Sequence, residues 1–436
     1  MRRDVLSAYV ATASKILSWV IVLGLIYRYA GVAAFAMFSF VRGTIGILNY
    51  TALGLSSAMI RVLAEARHSA PPSEDEGPDL ATRTVYANGL VVALITGVLG
   101  VAITALYAAL FGRIYSTPEA LHSPAMTVVF GIGIGTTLRL MSDAPGSVLQ
   151  AHGLIRRDNL FIAAGEATWV LATVFLAPQF GLLNAATFSY VLSGMSLLTL
   201  RLNAASTLTG VKLPQPRLVD RGTLKRLLGF GSLVLFAQLA DYLYAPSDYI
   251  LIKLLLGWEH VAVYAPAMTI DSGLLLLVTG LSSVILPRTA IAHTSGEIDR
   301  VRRYYIWGTI GSAFLLLVAA LVVWIASPLI FRLWLGEPMR ATQAILPLVL
   351  IHTVIGGSSA VGRSILLGMG RVRAFTISVL IAGIMNVVLS YIFVRHLNLG
   401  LKGIVLGTIV VVVARAGIWM PWYVLRTLRG EAHAAR

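Results

Sequence analysis

The chain has 436 residues, of which 57% are hydrophobic and only 12% charged. An ordinary soluble domain carries about 25% charged residues, so a soluble enzyme, a disordered chain and a collagen-like repeat are all excluded. The 34 basic and 19 acidic residues leave a net charge of +15, and the absence of cysteine removes disulfides, thiolate metal sites and thiol nucleophiles.

A bilayer core takes about 20 apolar residues per helix, and the apolar runs predict twelve spans. In chain order they cover 6–29, 33–60, 84–111, 125–150, 159–177, 183–203, 228–256, 260–287, 305–328, 344–368, 374–394 and 402–425. The first follows Met1-Arg2-Arg3 but is too long for a signal core, so it is expected to be retained. Breaks fall at the acidic run 71–78, at Lys212 to Arg226, and at Thr294 to Arg303. With the N-terminus inside, 22 basic residues fall in cytoplasmic segments and 6 outside, the others lying within spans. The positive-inside rule then places both termini in the cytoplasm, and the surplus of basic residues needs no nucleic-acid partner.

The chain also repeats. Gly54-Leu55-Ser56-Ser57 recurs as Gly280-Leu281-Ser282-Ser283, each preceded at the same distance by a glycine, Gly31 or Gly257, at an offset of 226. Ser147-Val148-Leu149 with Gly153 recurs as Ser364-Ile365-Leu366 with Gly370, at an offset of 217. Two ordered matches at equivalent span positions predict an all-α polytopic protein of two parallel six-helix lobes around a central cavity. The N-terminal lobe is expected over 1–205, a cytoplasmic linker over 206–221 and the C-terminal lobe over 222–436. No GxxxxGK[ST] or HExxH motif occurs, and the outer loops are short, which argues for moving a substrate rather than transforming it. No catalytic residue, metal site or cofactor is expected.

Ionisable groups inside spans face bundle interiors or watery cavities. Lys253 and Arg363, near span ends, can snorkel to the headgroups. Lys15 shares a face of the first span with Thr12 and Trp19. Ser39, Arg42, Gly46, Asn49 and Ser56 fall near one stripe of the second, which reads either as a cavity wall or as interhelical glue. Arg139 and Asp143, four apart, can pair on one helix face. Arg415 has no acid within its own turn, and Glu166 is a candidate partner across helices. Gln238, Asp241, Asp248 and Tyr249, with Tyr242 and Tyr244, crowd the seventh span, where Pro246 should kink or break the helix. These carboxylates and rings suit cation coupling or sugar recognition. At the offset of 226, Met268 stands opposite Arg42 and Asp271 near Ile45, so the second lobe presents acid where the first presents base.

The segment DYILIKLLLGWEHVAVYAPAM from Asp248, its continuation GLSSVILPR to Arg288, LLGMGRVRAF from Leu366, Asn386, and NLGLKGIVLGT from Asn398 to Thr408 resemble bacterial polysaccharide (Wzx-type O-antigen) flippases. These belong to the multidrug, oligosaccharidyl-lipid and polysaccharide exporter (MOP) superfamily. The resemblance spans nearly the whole chain through diffuse glycine and apolar patterns. It implies an inner-membrane, alternating-access flippase of undecaprenyl-diphosphate-linked oligosaccharide, with membrane lipids, a coupling cation (H+ or Na+) and polysaccharide polymerase machinery as partners. Arg42, Lys15 and Arg139 would hold the diphosphate, because guanidinium forks match phosphate oxygens. Asp241, Asp248, Tyr242, Tyr249, Asp271 and Asn49 would contact sugar or couple the ion. The alternatives are a cation-coupled multidrug antiporter, although the first span lacks the acid many of those carry, and a lipid II flippase, whose extra C-terminal helices and Arg-Asp pair are missing here.

Overall fold

A computed structural model of the chain describes residues 2–52, 55–69, 80–115, 119–229 and 245–434. Among them every regular element is helical, and ten helices are long and apolar enough to cross a bilayer, with Val32–Leu48 as a shorter apolar one. The fold is all-α and polytopic, as the apolar runs predict. Most of the first half of the expected seventh span, residues 230–244, lies outside the described residues.

The chain divides into two compact units, Met1–Leu239 and Ala240–Arg436. The first contains α1 (Arg2–Leu25), a π-turn (Ile26–Ala30), α2 (Val32–Thr44), a 3-10 segment (Ile45–Ala52) and α3 (Leu55–Ser69). It continues with α4 (Leu80–Ile114), α5 (Glu119–Met141), α6 (Asp143–Ala151), α7 (Ile155–Phe180), α8 (Leu182–Thr209) and a helix α9 over 221–229. The second contains α10 (Ala245–Leu255), α11 (Trp258–Thr294), α12 (Ile298–Leu335), α13 (Arg340–Ser358) and α14 (Ala360–Gly368). It ends with α15 (Val372–Arg395), α16 (Gly400–Val412), a π-segment (Val413–Trp419) and α17 (Met420–Ala434).

The internal repeat is visible in the backbone of each unit. Gly31 and Gly257 both adopt positive φ, 89° and 98°, a conformation open to glycine without steric cost. The helices they precede, α2 and α11, begin 226 residues apart. Gly153 and Gly370, at φ 75° and 74°, close α6 and α14 in the same way. The amide of Leu154 donates to Leu149 O, and that of Arg371 to Leu366 O, each at 2.8 Å. These are equivalent six-residue C-terminal caps. One difference separates the halves: α11 runs unbroken, whereas its counterpart in the first unit is interrupted by the 3-10 segment. The Thr96 hydroxyl on α4 donates to Thr51 O at 2.8 Å, satisfying a carbonyl in that irregular stretch, as backbone at membrane depth requires. The break also ends the regular stripe expected from Ser39 to Ser56, because a 3-10 turn has three residues rather than 3.6.

The linker belongs to the first unit. Asn88 on α4 donates to Leu218 O at 3.1 Å and accepts from the Asp220 amide at 3.2 Å. The Thr223 amide, donating to Asp220 Oδ2 at 2.6 Å, holds that carboxyl below its ordinary range. Leu224, Leu227 and Leu228 then pack against a core that includes Val85, Val148 and Ala205. The helix that follows the expected linker thus buries its leucines against the first unit.

Within that unit, α5 and α8 approach through small residues. A Cβ at Gly194 would lie 2.8 Å from Gly135 O and 3.1 Å from Leu138 Cβ. The first of these atoms is backbone and cannot swing away. Gly194→Ala should therefore destabilise the protein by about 1–3 kcal/mol, measured as a lowered melting temperature in detergent, whereas Gly311→Ala, which meets nothing within 4 Å, should melt like wild type.

Candidate functional site

In the first unit, the middles of α1, α7 and α8 contribute Trp19, Trp169 and Tyr190, whose ring centroids lie 4.5, 5.5 and 4.9 Å apart pairwise. Trp169 is fully buried and its indole donates to Ala186 O at 2.8 Å. Two guanidinium groups close on this cluster. Arg42 Cζ stands 4.2 Å from the Trp19 ring centroid and Arg139 Cζ 4.5 Å from that of Tyr190, distances at which ring quadrupoles attract cations. Arg139 also forms an ion pair with Glu166 and donates to Ser193 Oγ at 2.7 Å, while Ser18 donates to the other Glu166 oxygen. Lys15 lies on α1 as an exposed side chain. Asn49 falls in the 3-10 segment, and its side chain lies outside the described residues.

Arg139 and Asp143 do not pair as their spacing suggests. The helix is interrupted at Ser142, between α5 and α6, so the two side chains leave the common i, i+4 face. Asp143 instead lies 3.7 Å from Arg201. Arg201 grips the fully buried Asp158 with two bonds, Nε to Oδ1 at 2.7 Å and Nη2 to Oδ2 at 3.0 Å. Its Nη1 donates to Ser142 Oγ at 2.9 Å, and Gln150 donates to Asp158 Oδ2 at 2.9 Å. Gly146 makes the arrangement possible, since a Cβ there would stand 2.8 Å from Arg201 Cζ. Asp158 and Arg201 had been placed outside or at the ends of spans. Their pairing is a long-range contact with no local signature.

The second unit is built differently. Asp248 on α10 is buried, and its carboxylate accepts from Tyr264 OH on α11 at 3.0 Å, Asn386 Nδ2 on α15 at 2.9 Å and Thr408 Oγ1 on α16 at 3.0 Å. All three donors are neutral. Tyr249 packs edge-on against Tyr264 at 5.2 Å. Two turns along α11, buried Asp271 accepts from Thr353 Oγ1 on α13 at 2.5 Å, and His352 Nδ1 lies 3.8 Å away. Pro246, expected to kink or break the seventh span, is the second described residue of α10. Asp241 and Tyr242 lie outside the described residues, as do Gln238 and Tyr244. Arg415 sits in the π-segment with Cζ 5.8 Å from the Phe375 ring, and Arg363 stands 5.4 Å from the same ring. Glu166, the expected partner of Arg415, is taken by Arg139.

The repeat shows how the two units diverged. At the offset of 217, Asp143, Gly146 and Asp158 correspond to Ala360, Arg363 and Phe375. The acids that hold Arg201 thus have no acidic equivalents in the second unit. The residues that hold Asp248 were individually visible as polar positions in apolar runs. Tyr264, Asn386 and Thr408 all fall within the segments carrying the family resemblance, but neither they nor the Asp271, Thr353 and His352 group is legible as a cluster. Among the described residues no group of three or more His, Cys, Asp or Glu could hold a metal ion.

Residues 234–392 match the family model MatE. The chain is similar over nearly its whole length to solved membrane transporters. One is a multidrug resistance MATE family transporter of the MOP superfamily in its inward-facing conformation, at 18% identity, 96% coverage of each chain and a TM-score of 0.80. An outward-facing multidrug resistance MATE family transporter of the MOP superfamily aligns at 19% identity, 98% of this chain, 94% of that one and a TM-score of 0.66. A MOP superfamily transporter from Pyrococcus furiosus, described as having a binding pocket of reverse polarity that suggests a different function, aligns at 19% identity, 98% and 95% coverage and a TM-score of 0.68. No curated protein matches. The chain therefore has the fold of the MOP transporters.

The Arg201–Asp158 pair has side chains only 6% and 0% exposed. Removing one partner of such a pair leaves an uncompensated buried charge and costs about 3–5 kcal/mol. Arg201→Ala should accordingly lower the melting temperature and yield of folded protein, and Arg201→Met combined with Asp158→Leu should recover most of the loss.

Proposed function

We propose that the chain is a cation-coupled exporter of the multidrug antiporter type, working by alternating access. The observation that carries this reading is Asp248. A carboxylate in a membrane helix, fully enclosed and held by three neutral donors with no basic side chain bonded to it among the described residues, is costly as a bare anion. Binding a proton or a monovalent cation removes that cost, and releasing it restores it. Such a group can therefore favour one conformation when loaded and another when empty. The inward- and outward-facing structures of similar MATE transporters support the alternating-access part of the reading. Asp271, with Thr353 and His352, adds a second protonatable position in the same unit. Trp19, the half-buried ring of the aromatic cluster, would offer an apolar contact to an amphipathic substrate.

A second reading keeps the lipid-linked oligosaccharide as cargo. It is favoured by Arg42, whose guanidinium lies over Trp19, together with Lys15 on α1, since a diphosphate needs cationic partners. In that reading the acids of the second unit serve sugar hydroxyls or a coupling ion, and the protein works at the bacterial inner membrane beside polysaccharide polymerase machinery.

Reconstituted vesicles with an imposed proton or sodium gradient separate these roles. Wild type should extrude ethidium against the gradient, and Asp248→Asn, which keeps the side chain's shape but removes its charge and one accepting oxygen, should reduce extrusion to background at equal protein abundance; wild-type extrusion by that variant would remove Asp248 from coupling. Arg42→Ala, scored in cells for surface polysaccharide and for membrane abundance, tests the second reading. Lost polysaccharide at normal abundance supports the glycolipid cargo, and unchanged polysaccharide removes it.

A further inference from the structure

Where α1 and α7 begin, their surfaces enclose a groove of about 480 Å³ lined by Leu6, Ser7, Val10, Arg156, Asn159 and Leu160. We propose that this groove binds one anionic phospholipid, with its phosphate on Arg156 and an acyl chain along Val10 and Leu160. The inference is independent of what the protein transports.

Three observations point to that ligand. The first is the order of residues along the groove. Ser7 and Arg156 lie at the end where both helices start, and Val10 and Leu160 follow about one turn further along. The lining thus sets the Arg156 guanidinium and the Ser7 and Asn159 side chains beside apolar Leu6, Val10 and Leu160 within about one helical turn. The Asn159 amide donates to Ser7 Oγ at 3.0 Å, which ties the two helices together at the polar end. The second is exposure: Leu6, Val10 and Leu160 are 65%, 48% and 52% exposed, and apolar side chains left open on a membrane helix are in contact with lipid tails. The third is charge. Arg156 and Arg157 stand in the first turn of α7 together with Asp158, whose carboxylate is already bonded twice by Arg201, and α1 starts at the same end. Parallel helix N-termini carry partial positive charge, so cations there are unfavourable unless an anion is close. A free anion would satisfy the charge but not the apolar half of the groove. A zwitterionic lipid would satisfy the apolar half but bring its own cation to Arg156.

The test uses the full-length protein in detergent micelles doped with equal amounts of phosphatidylglycerol and phosphatidylcholine, with bound lipid counted by native mass spectrometry. Wild type should retain one phosphatidylglycerol in preference to phosphatidylcholine. Arg156→Gln should weaken that retention about fivefold, the effect of one basic residue at an anionic headgroup. Val10→Trp, which fills the groove without changing charge, should weaken it as well. Arg157→Gln, whose side chain lies over Phe161 and outside the lining, should retain lipid as wild type does. Equal retention of the two lipids by wild type, unchanged retention in both Arg156→Gln and Val10→Trp, or equal loss in Arg157→Gln would each overturn the proposal. Thermal melts confirm that the variants are folded, and all three positions are exposed enough to accept the changes.

Discussion

Charge inside a hydrocarbon layer has to be neutralised, and most of this structure can be read as two solutions to that requirement. The first unit neutralises by pairing. Glu166 meets Arg139, and Asp158 meets Arg201 through a two-bond fork with Asp143 nearby. Each pair is backed by serine hydroxyls, so few charged atoms are left to lipid. Among the described residues, the second unit holds Asp248 by hydrogen bonds from neutral donors, and Asp271 by a hydroxyl and a neighbouring imidazole. A fixed ion pair holds its charges in place. A carboxylate enclosed by neutral donors stays sensitive to whatever small cation reaches it, and this difference is why the coupling role is proposed for the second unit.

Duplication explains how one fold came to carry both solutions. The two halves share helix starts, positive-φ glycines and C-terminal caps at constant offsets, which fix where each helix begins and turns. Side chains at matching positions were then free to change. At the offset of 217, Phe375 stands where the first half has Asp158, and Arg363 where it has Gly146. The glycine leaves room for the Arg201 guanidinium in one half; in the other, arginine itself occupies the site. The 3-10 interruption after α2 is a second divergence, and it lies immediately beyond Arg42 on the chain. Irregular backbone of this kind often marks a hinge within a helix.

Much of this was legible beforehand. Apolar runs located the spans because the bilayer sets their length, and the glycine matches located the repeat because only glycine turns so sharply without cost. Intramembrane acids and bases could be named individually for the same reason: they are rare in hydrocarbon. What could not be read was their partnership. Arg139 and Asp143 looked like a pair at helical spacing, yet one break at Ser142 sent them to Glu166 and Arg201, 27 and 58 residues further along the chain. The packing of α9 is hidden for a related reason, since its leucines show their burial only once a partner surface exists.

Hydropathy, charge bias and internal similarity by themselves determined an all-helical membrane protein with a duplicated plan and a handful of ionisable groups at depth, because each of those properties is local and follows from the solvent the chain must satisfy. Tertiary structure decided which charges cancel and which stay responsive: Tyr264, Asn386 and Thr408 come from three different helices, and no period in the sequence brings them to Asp248.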